Sequence, residues 1–351
     1  MSVFGSLKSA VLGRLRPLVR DLGAELLYRA TVLHPTRLAH DKLTIVTFHR
    51  VLPKELLAEY PIPSIAVTPD ELDWLLALFD RHYTIGTLGE VGTRFELGDR
   101  PERPLLGITF DDGQRDNYEY ARPVLAQHGA HASFFVVADA TEYNQTLWHD
   151  RIAYSVASLL RRDRPAAVPL LGELGVSIDD ADPQNAAVAH VKKLTPEARD
   201  VWVEKVEASA GGDCRPNWDG MMTWEQLRTM HDEGHEIGSH SRTHAILPLV
   251  SDSQLDDEIA GSRRMLREKL GFEIQSFCYP NGDHDDRAVR AVERAGYRHA
   301  VTTRYGINAE GSSAFVWRRL DMQGSHARTA AGDFSAARVL LRLTGRLPSA
   351  Y

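Results

Sequence analysis

From residue 41 onward, short unbroken apolar runs alternate with stretches whose apolar residues recur every three or four positions. The runs at 42–48 (KLTIVTF), 104–110 (PLLGITF), 131–137 (HASFFVV) and 274–280 (IQSFCYP) are rich in β-branched and aromatic residues and read as buried strands. Shorter runs at 235–240 (HEIGSH), 298–303 (RHAVTT) and 315–322 (FVWRRLDM) read the same way. The spacing between them predicts helices. One covers 68–82, with Thr68 as N-cap, Pro69 at the first helical position and Glu71 completing a capping box. Another covers 223–234, with Thr223, Gln226 and a closing Gly234. Others fall at about 116–128, 253–270 and 286–297, the first and last closed by Gly129 and Gly296. Repeated strand–helix alternation implies an α/β protein with parallel strands and helices outside them. This patterning suits a closed barrel and an open sheet equally.

Three segments break the rhythm. Residues 140–222 hold helix formers and aromatics without strand runs, and are expected to form a helical insertion over one face. Residues 1–41 place Val11, Leu12, Leu15, Leu18, Val19, Leu22, Leu26 and Leu27 at helical spacing between Lys8, Arg14, Arg16 and Arg20, with Pro17 as a break. Such a basic amphipathic helix suits peripheral membrane contact, although packing on the protein's own core is the favoured expectation. The tail, 326–351, has a similar character.

Composition narrows the classes. A net charge of -7 gives no reason to expect nucleic acid. Cys214 and Cys278 are the only cysteines, so no disulfide framework is suggested. No apolar stretch is long enough to span a bilayer, and basic residues interrupt any secretory-type leader, which favours a cytoplasmic or peripheral-membrane location.

Polar chemistry collects where strands end. His49 follows the first run, Asp111-Asp112-Gly113 the second, His240 with His244 another, and Tyr279-Pro280-Asn281 a fourth. In parallel α/β proteins the carboxyl ends of the strands share one face, and ligands bind there. Asp-Gly alone is an ordinary turn, and His-x-x-x-His alone is a weak signal. Together, two imidazoles and a carboxylate suit a divalent metal, zinc first. A second carboxylate beside them can then accept a proton from water.

The ordered set TFDDG (109–113), HSRTH (240–244) and CYPNG (278–282) resembles the polysaccharide deacetylase family, the NodB-homology carbohydrate esterases, over about residues 42–325. The resemblance implies a distorted, incomplete (β/α) barrel that removes N-acetyl groups from an acetylated hexosamine polymer. It implies Asp111 as general base, and Asp112, His240 and His244 as metal ligands. Tyr279, Pro280 and Asn281 would line the substrate groove, with the backbone N–H of Tyr279 or Asn281 holding the oxyanion.

The chain departs from the family pattern in three places. Cys278 stands where many members carry an arginine that orients the base, with Arg318 or Arg319 as candidate substitutes. No late Leu-x-His motif is evident, His326 being the late candidate for general acid. In place of that motif, TFHRV (47–51) is similar to the YHRV of the branch acting on poly-N-acetylglucosamine in exopolysaccharide production, which makes His49 the expected acid and His326 the reserve. Trp148, Trp218 and Trp224 are candidates for stacking on sugars, with core burial the more ordinary role. Other expectations compatible with the sequence are an O-acetyl esterase, a deacetylase of a lipid-linked sugar, and a catalytically silent glycan-binding protein.

Overall fold

A computed structural model describes residues 20–30 and 32–345. Among the described residues ten strands are formed: β1 (Leu43–Phe48), β2 (Arg50–Val51), β3 (Ala66–Val67), β4 (Thr84–Gly86), β5 (Leu105–Phe110), β6 (Ser133–Val136), β7 (Glu236–Ser239), β8 (Ser276–Cys278), β9 (His299–Tyr305) and β10 (Trp317–Asp321). β1 pairs with both β10 and β5, closing a ring of seven parallel strands in the order β1-β10-β9-β8-β7-β6-β5. β4 pairs only with the first half of β5 (Thr84↔Leu105), and β6 takes over further along (Thr109↔Ser133). The barrel is therefore closed yet short of a full eightfold ring, as the resemblance implied.

Alternation along each strand sorts the side chains. Phe48, Phe110 and Phe134 stack on one another (ring centroids 5.2 and 4.8 Å apart) and join the core shared with the outer helices, such as Leu72, Leu75 and Phe79 of Pro69–His82. The opposite positions face the barrel axis. Leu43, Ile45, Phe135, Val301 and Trp317 fill its lower half against Leu88, Val91 and Phe95 of the helix Leu88–Glu96. Thr47 and Thr109 lie higher, where the packing turns polar.

The capping boxes at Thr68/Glu71 and Thr223/Gln226 form as expected. β4, the Leu88–Glu96 helix and its Thr87/Glu90 capping box were not anticipated. The expected helices at 116–128 and 253–270 each contain a widened turn, Asn117–Ala121 and Asp257–Gly261. The expected strand at 274–280 shrinks to three residues, because Pro280 lacks an N–H and Asn281 turns left-handed at φ 58°.

The stretch between β6 and β7 is helical, as expected, with helices Ala138–Tyr143, Trp148–Arg162, Arg164–Glu173, Pro183–Val191 and Pro196–Ala210. It has a cluster of its own, including Ile152, Val156, Leu171, Val191, Val203 and Val206. Of the amphipathic N-terminal segment, residues 1–19, including Pro17, lie outside the described residues. Residues 20–29 are helical; Ala24 is buried, while Leu22 and Leu26 are exposed. In the tail, the helix Ala336–Leu343 buries Val339, Leu340 and Leu343 on the core. Among the described residues no helix is long and apolar enough to cross a membrane.

Candidate active site

The carboxyl ends of the barrel strands open into a cavity of about 370 Å³. Asp111 and Asp112 follow β5 directly. The Asp111 N–H donates to the Phe48 carbonyl (3.0 Å), after which Asp112 (φ 76°) and Gly113 (φ 76°) both turn left-handed. Gly113 is required there: a Cβ would lie 2.9 Å from Val136 Cγ1 and 3.2 Å from Val136 Cα. Asp-Asp-Gly is thus a strained turn whose geometry aims two adjacent carboxylates in different directions.

Asp111 meets Arg319 of β10. Nη1 donates to Oδ1 and Nη2 to Oδ2, both at 2.7 Å, and the guanidinium also reaches Thr47 Oγ1, Thr109 Oγ1 and the Thr302 carbonyl. Both side chains are buried. Burial raises the Asp111 pKa, but the Arg319 charge and its two hydrogen bonds outweigh this and hold it well below the usual carboxylate range. Of the two arginines the sequence offered in place of the family's own, Arg319 makes the contact, while Arg318 is exposed. Cys278 sits beside the pair, its sulfur 3.1 Å from Arg319 Nη2.

Asp112 has the opposite electrostatics. Burial, then Asp111, then Asp150 raise its pKa well above the ordinary value. Its Oδ1 lies 3.5 Å from His240 Nε2 and 3.5 Å from His244 Nε2. One donor atom from each of these three residues falls within 4.8 Å of the others. The His-x-x-x-His segment is a tight loop, with Ser241 and His244 left-handed and Ser241 Oγ accepting from the His244 N–H (3.1 Å). Glu258 secures it by accepting from the Arg242 and Thr243 N–H groups (2.9 Å each). His240 Nδ1 faces the Cys278 carbonyl at 2.8 Å, which leaves Nε2 toward Asp112. Burial lowers the pKa of His240 to about 4 and holds that of His244 well below its ordinary value, which favours neutral rings able to ligate. Two neutral imidazoles and a carboxylate without a cationic partner match a divalent transition metal in donor type and spacing.

His49, a quarter exposed, lines the cavity with Nε2 3.8 Å from Asp111 Oδ2. Burial lowers its pKa, and Asp111 opposes the shift. His326 does not line the cavity; it is half-buried and faces Asp321 and Arg342. The groove expectation is corrected in part. Asn281 lines the cavity, but Tyr279 and Pro280 do not. The Tyr279 ring is buried with its hydroxyl on the Phe315 carbonyl (3.0 Å), and its N–H is taken by the Val301 carbonyl (3.1 Å). That N–H is engaged in pairing between β8 and β9, so it is not free for an oxyanion.

Sequence reasoning missed the wall supplied by the insertion: His149, Asn185, Val188 and Lys192, with Trp148 beside them. Trp148 is buried, and its Nε1 donates to the His244 carbonyl (3.2 Å). Trp218 and Trp224 bond Glu59 and Glu142 away from the cavity. A buried ionic cluster beneath this wall was also missed. Arg50 meets Asp116 (2.6 Å) and Asp219 (2.8 Å), while Asp150 accepts from Tyr60 (2.8 Å) and Gln114 (3.1 Å). The visible hint was the His149-Asp150 pair in the first turn of the amphipathic helix Trp148–Arg162, next to Trp148 and ahead of its apolar positions.

Comparison with known proteins agrees with this fold. The family model described as polysaccharide deacetylase matches residues 98–300. YxkH of Bacillus subtilis, named for the same family, is 20% identical over 257 residues, covering 73% of this chain and 65% of YxkH. The chain thus spans less than two thirds of the length of the curated relatives it matches. Among solved structures, the Streptococcus pyogenes deacetylase PplD in complex with acetate superposes with a TM-score of 0.57 at 19% identity, covering 86% of this chain and 98% of PplD. IcaB from Ammonifex degensii superposes with a TM-score of 0.56 at 17% identity, covering 87% of this chain and 98% of IcaB. With its seven-stranded parallel barrel and a family match over more than half its length, the chain belongs to the polysaccharide deacetylase family.

Proposed function

We propose that the protein is a metal-dependent deacetylase that hydrolyses the N-acetyl groups of an N-acetylhexosamine glycan, in exopolysaccharide or cell-envelope polysaccharide metabolism. The carrying observation is the convergence of Asp112, His240 and His244 in a cavity whose other side holds Asp111 against Arg319. These three residues would hold the cation, with Zn2+ the first choice. Bound there, a divalent cation polarises an acyl oxygen and lowers the pKa of water towards about 7. Asp111, kept ionised and fixed in orientation by Arg319, takes the proton from the attacking water. His49 stands on the same side and delivers a proton to the departing amine. The N–H of Asn281 is the remaining backbone donor proposed for the oxyanion. The cavity, with Trp148, Val188 and Ile62 among its walls, has apolar surface for a sugar ring.

The test is acetate release from N-acetylglucosamine oligomers. Release that a chelator abolishes and zinc restores is the expected result. Glycan binding without release at any metal would replace the enzyme reading with that of a binding protein. Release from O-acetylated but not N-acetylated glycans would replace the amide with an ester.

A further inference from the structure

The insertion does more than roof the barrel. His149 lies in the first turn of the helix Trp148–Arg162, and both its neighbours in sequence are pinned. Trp148 Nε1 holds the His244 carbonyl, and Asp150 is held by Tyr60 and Gln114. The backbone that carries the imidazole between them is therefore held in place, while the ring keeps its side-chain rotations. Its Nε2 lies 3.9 Å from Asp112 Oδ2 and 3.8 Å from Asp150 Oδ2, and its ring centroid is 5.2 Å from that of His244. His240 and His244 both approach the other oxygen of Asp112, Oδ1. Among the described residues no N–H or O–H group within hydrogen-bond distance donates to the Asp112 carboxylate, and His149 is the histidine whose closest approach to it is through Oδ2. A buried carboxylate oxygen without a donor is costly. A ligating carboxylate that an outer group holds by hydrogen bond binds its metal more tightly.

We propose that His149 is a positioning residue of the cation centre, its Nε2–H bonding Asp112 Oδ2 so that Oδ1 stays turned towards His240 and His244. A small rotation of either side chain brings the 3.9 Å separation to bonding length. The insertion then contributes to cation affinity as well as to the cavity wall. This inference rests on the cation-dependent reading given above.

The experiment measures cation affinity by competition with a chromophoric chelator for the full chain and two variants, with the visible spectrum of the Co2+-loaded protein as second readout. His149→Phe keeps the ring volume and removes the N–H; His149→Gln restores a donor. The expected result is affinity lowered about 10–100-fold in His149→Phe, largely recovered in His149→Gln, with unchanged Co2+ band shape in both. Affinity equal to the parent in His149→Phe overturns the inference. A changed band shape also overturns it, because His149 would then be a ligand. If the parent protein itself binds no cation, the deacetylase reading falls too; if it binds and His149→Phe binds equally, only this inference falls.

Discussion

Replacing Arg319 by Met isolates the ion pair that separates the two carboxylates of the candidate site. The substitution keeps an unbranched apolar stem in the barrel axis and removes both 2.7 Å bonds to Asp111, together with those to Thr47 and Thr109. Asp111 and Arg319 are fully buried, so no solvent screening reduces the loss. Removing one partner of such a pair costs about 3–5 kcal/mol. For a chain of 351 residues the unfolding entropy is roughly 0.7 kcal/mol/K, which converts the cost to a fall in melting temperature of about 4–7 °C. The pH dependence gives a second handle. In the parent, the folded Asp111 pKa is depressed, so its stabilisation is present above the ordinary carboxylate range and lost as pH falls through the folded value. In Arg319→Met only burial and the remaining neighbours act, and the folded pKa rises above the unfolded one. Stability of the variant then declines as pH rises past the ordinary carboxylate range. The gap between parent and variant should therefore be wider at pH 7.5 than at pH 5. Thermal denaturation of both proteins in chelator, at the two pH values, measures this. A shift under about 1 °C at pH 7.5, or an equal gap at both pH values, would refute the reasoning.

Asp112→Ala and His244→Ala should each lose bound metal and activity together, measured by elemental analysis and acetate release; full occupancy in both would remove the ligand assignment. Asp111→Asn should keep its metal while turnover nearly stops, and a normal rate would remove Asp111 as base. His49→Ala should lower the rate far more than His326→Ala, because only His49 lines the cavity; equal, mild losses would leave the mechanism without its proton donor. Gly113→Ala, at φ 76° and against Val136, should cost at least about 1–3 kcal/mol on denaturant unfolding and also weaken metal binding, since the same turn aims Asp112.

The parts of the site legible in the sequence are those set by local rules. A buried strand ending in Asp111-Asp112-Gly113 must place its carboxylates at a strand terminus. Thr68/Glu71 and Thr223/Gln226 form their boxes because the partners are three residues apart. The substitution of Arg319 for the family's arginine was only half legible. Arg318 and Arg319 are adjacent on one strand, and β10 side chains alternate, so one faces solvent and the other the axis. Which one faces inward depends on the register of β10 against its neighbours, information carried by the whole ring. The engagement of the Tyr279 N–H was illegible for the same reason: its partner, Val301, is on another strand. β4 and the Leu88–Glu96 helix were passed over because a three-residue strand gives almost no periodicity signal.

Two neighbouring carboxylates with opposite electrostatics explain why the site is built across so many elements. Side by side on one turn, Asp111 and Asp112 would share the same repulsion and the same burial. Arg319, reaching from β10, settles the matter for Asp111 alone, since both of its terminal guanidinium nitrogens bond that carboxylate. Asp112 receives no comparable cation from the chain: Arg50 and then Arg319 are the main compensating charges, and Arg50 is committed to Asp116 and Asp219, Arg319 to Asp111. The Asp112 carboxyl is therefore left raised in pKa, facing two neutral imidazoles. A divalent cation would supply the charge the chain withholds there, and binding it should release a proton. Calorimetric titration with zinc in buffers of differing ionisation enthalpy checks this directly. The apparent heat should change with buffer in the parent, and the dependence should diminish in Asp112→Asn; a buffer-independent heat in the parent would show that Asp112 was already ionised, and with it that the division between the two carboxylates had been misread.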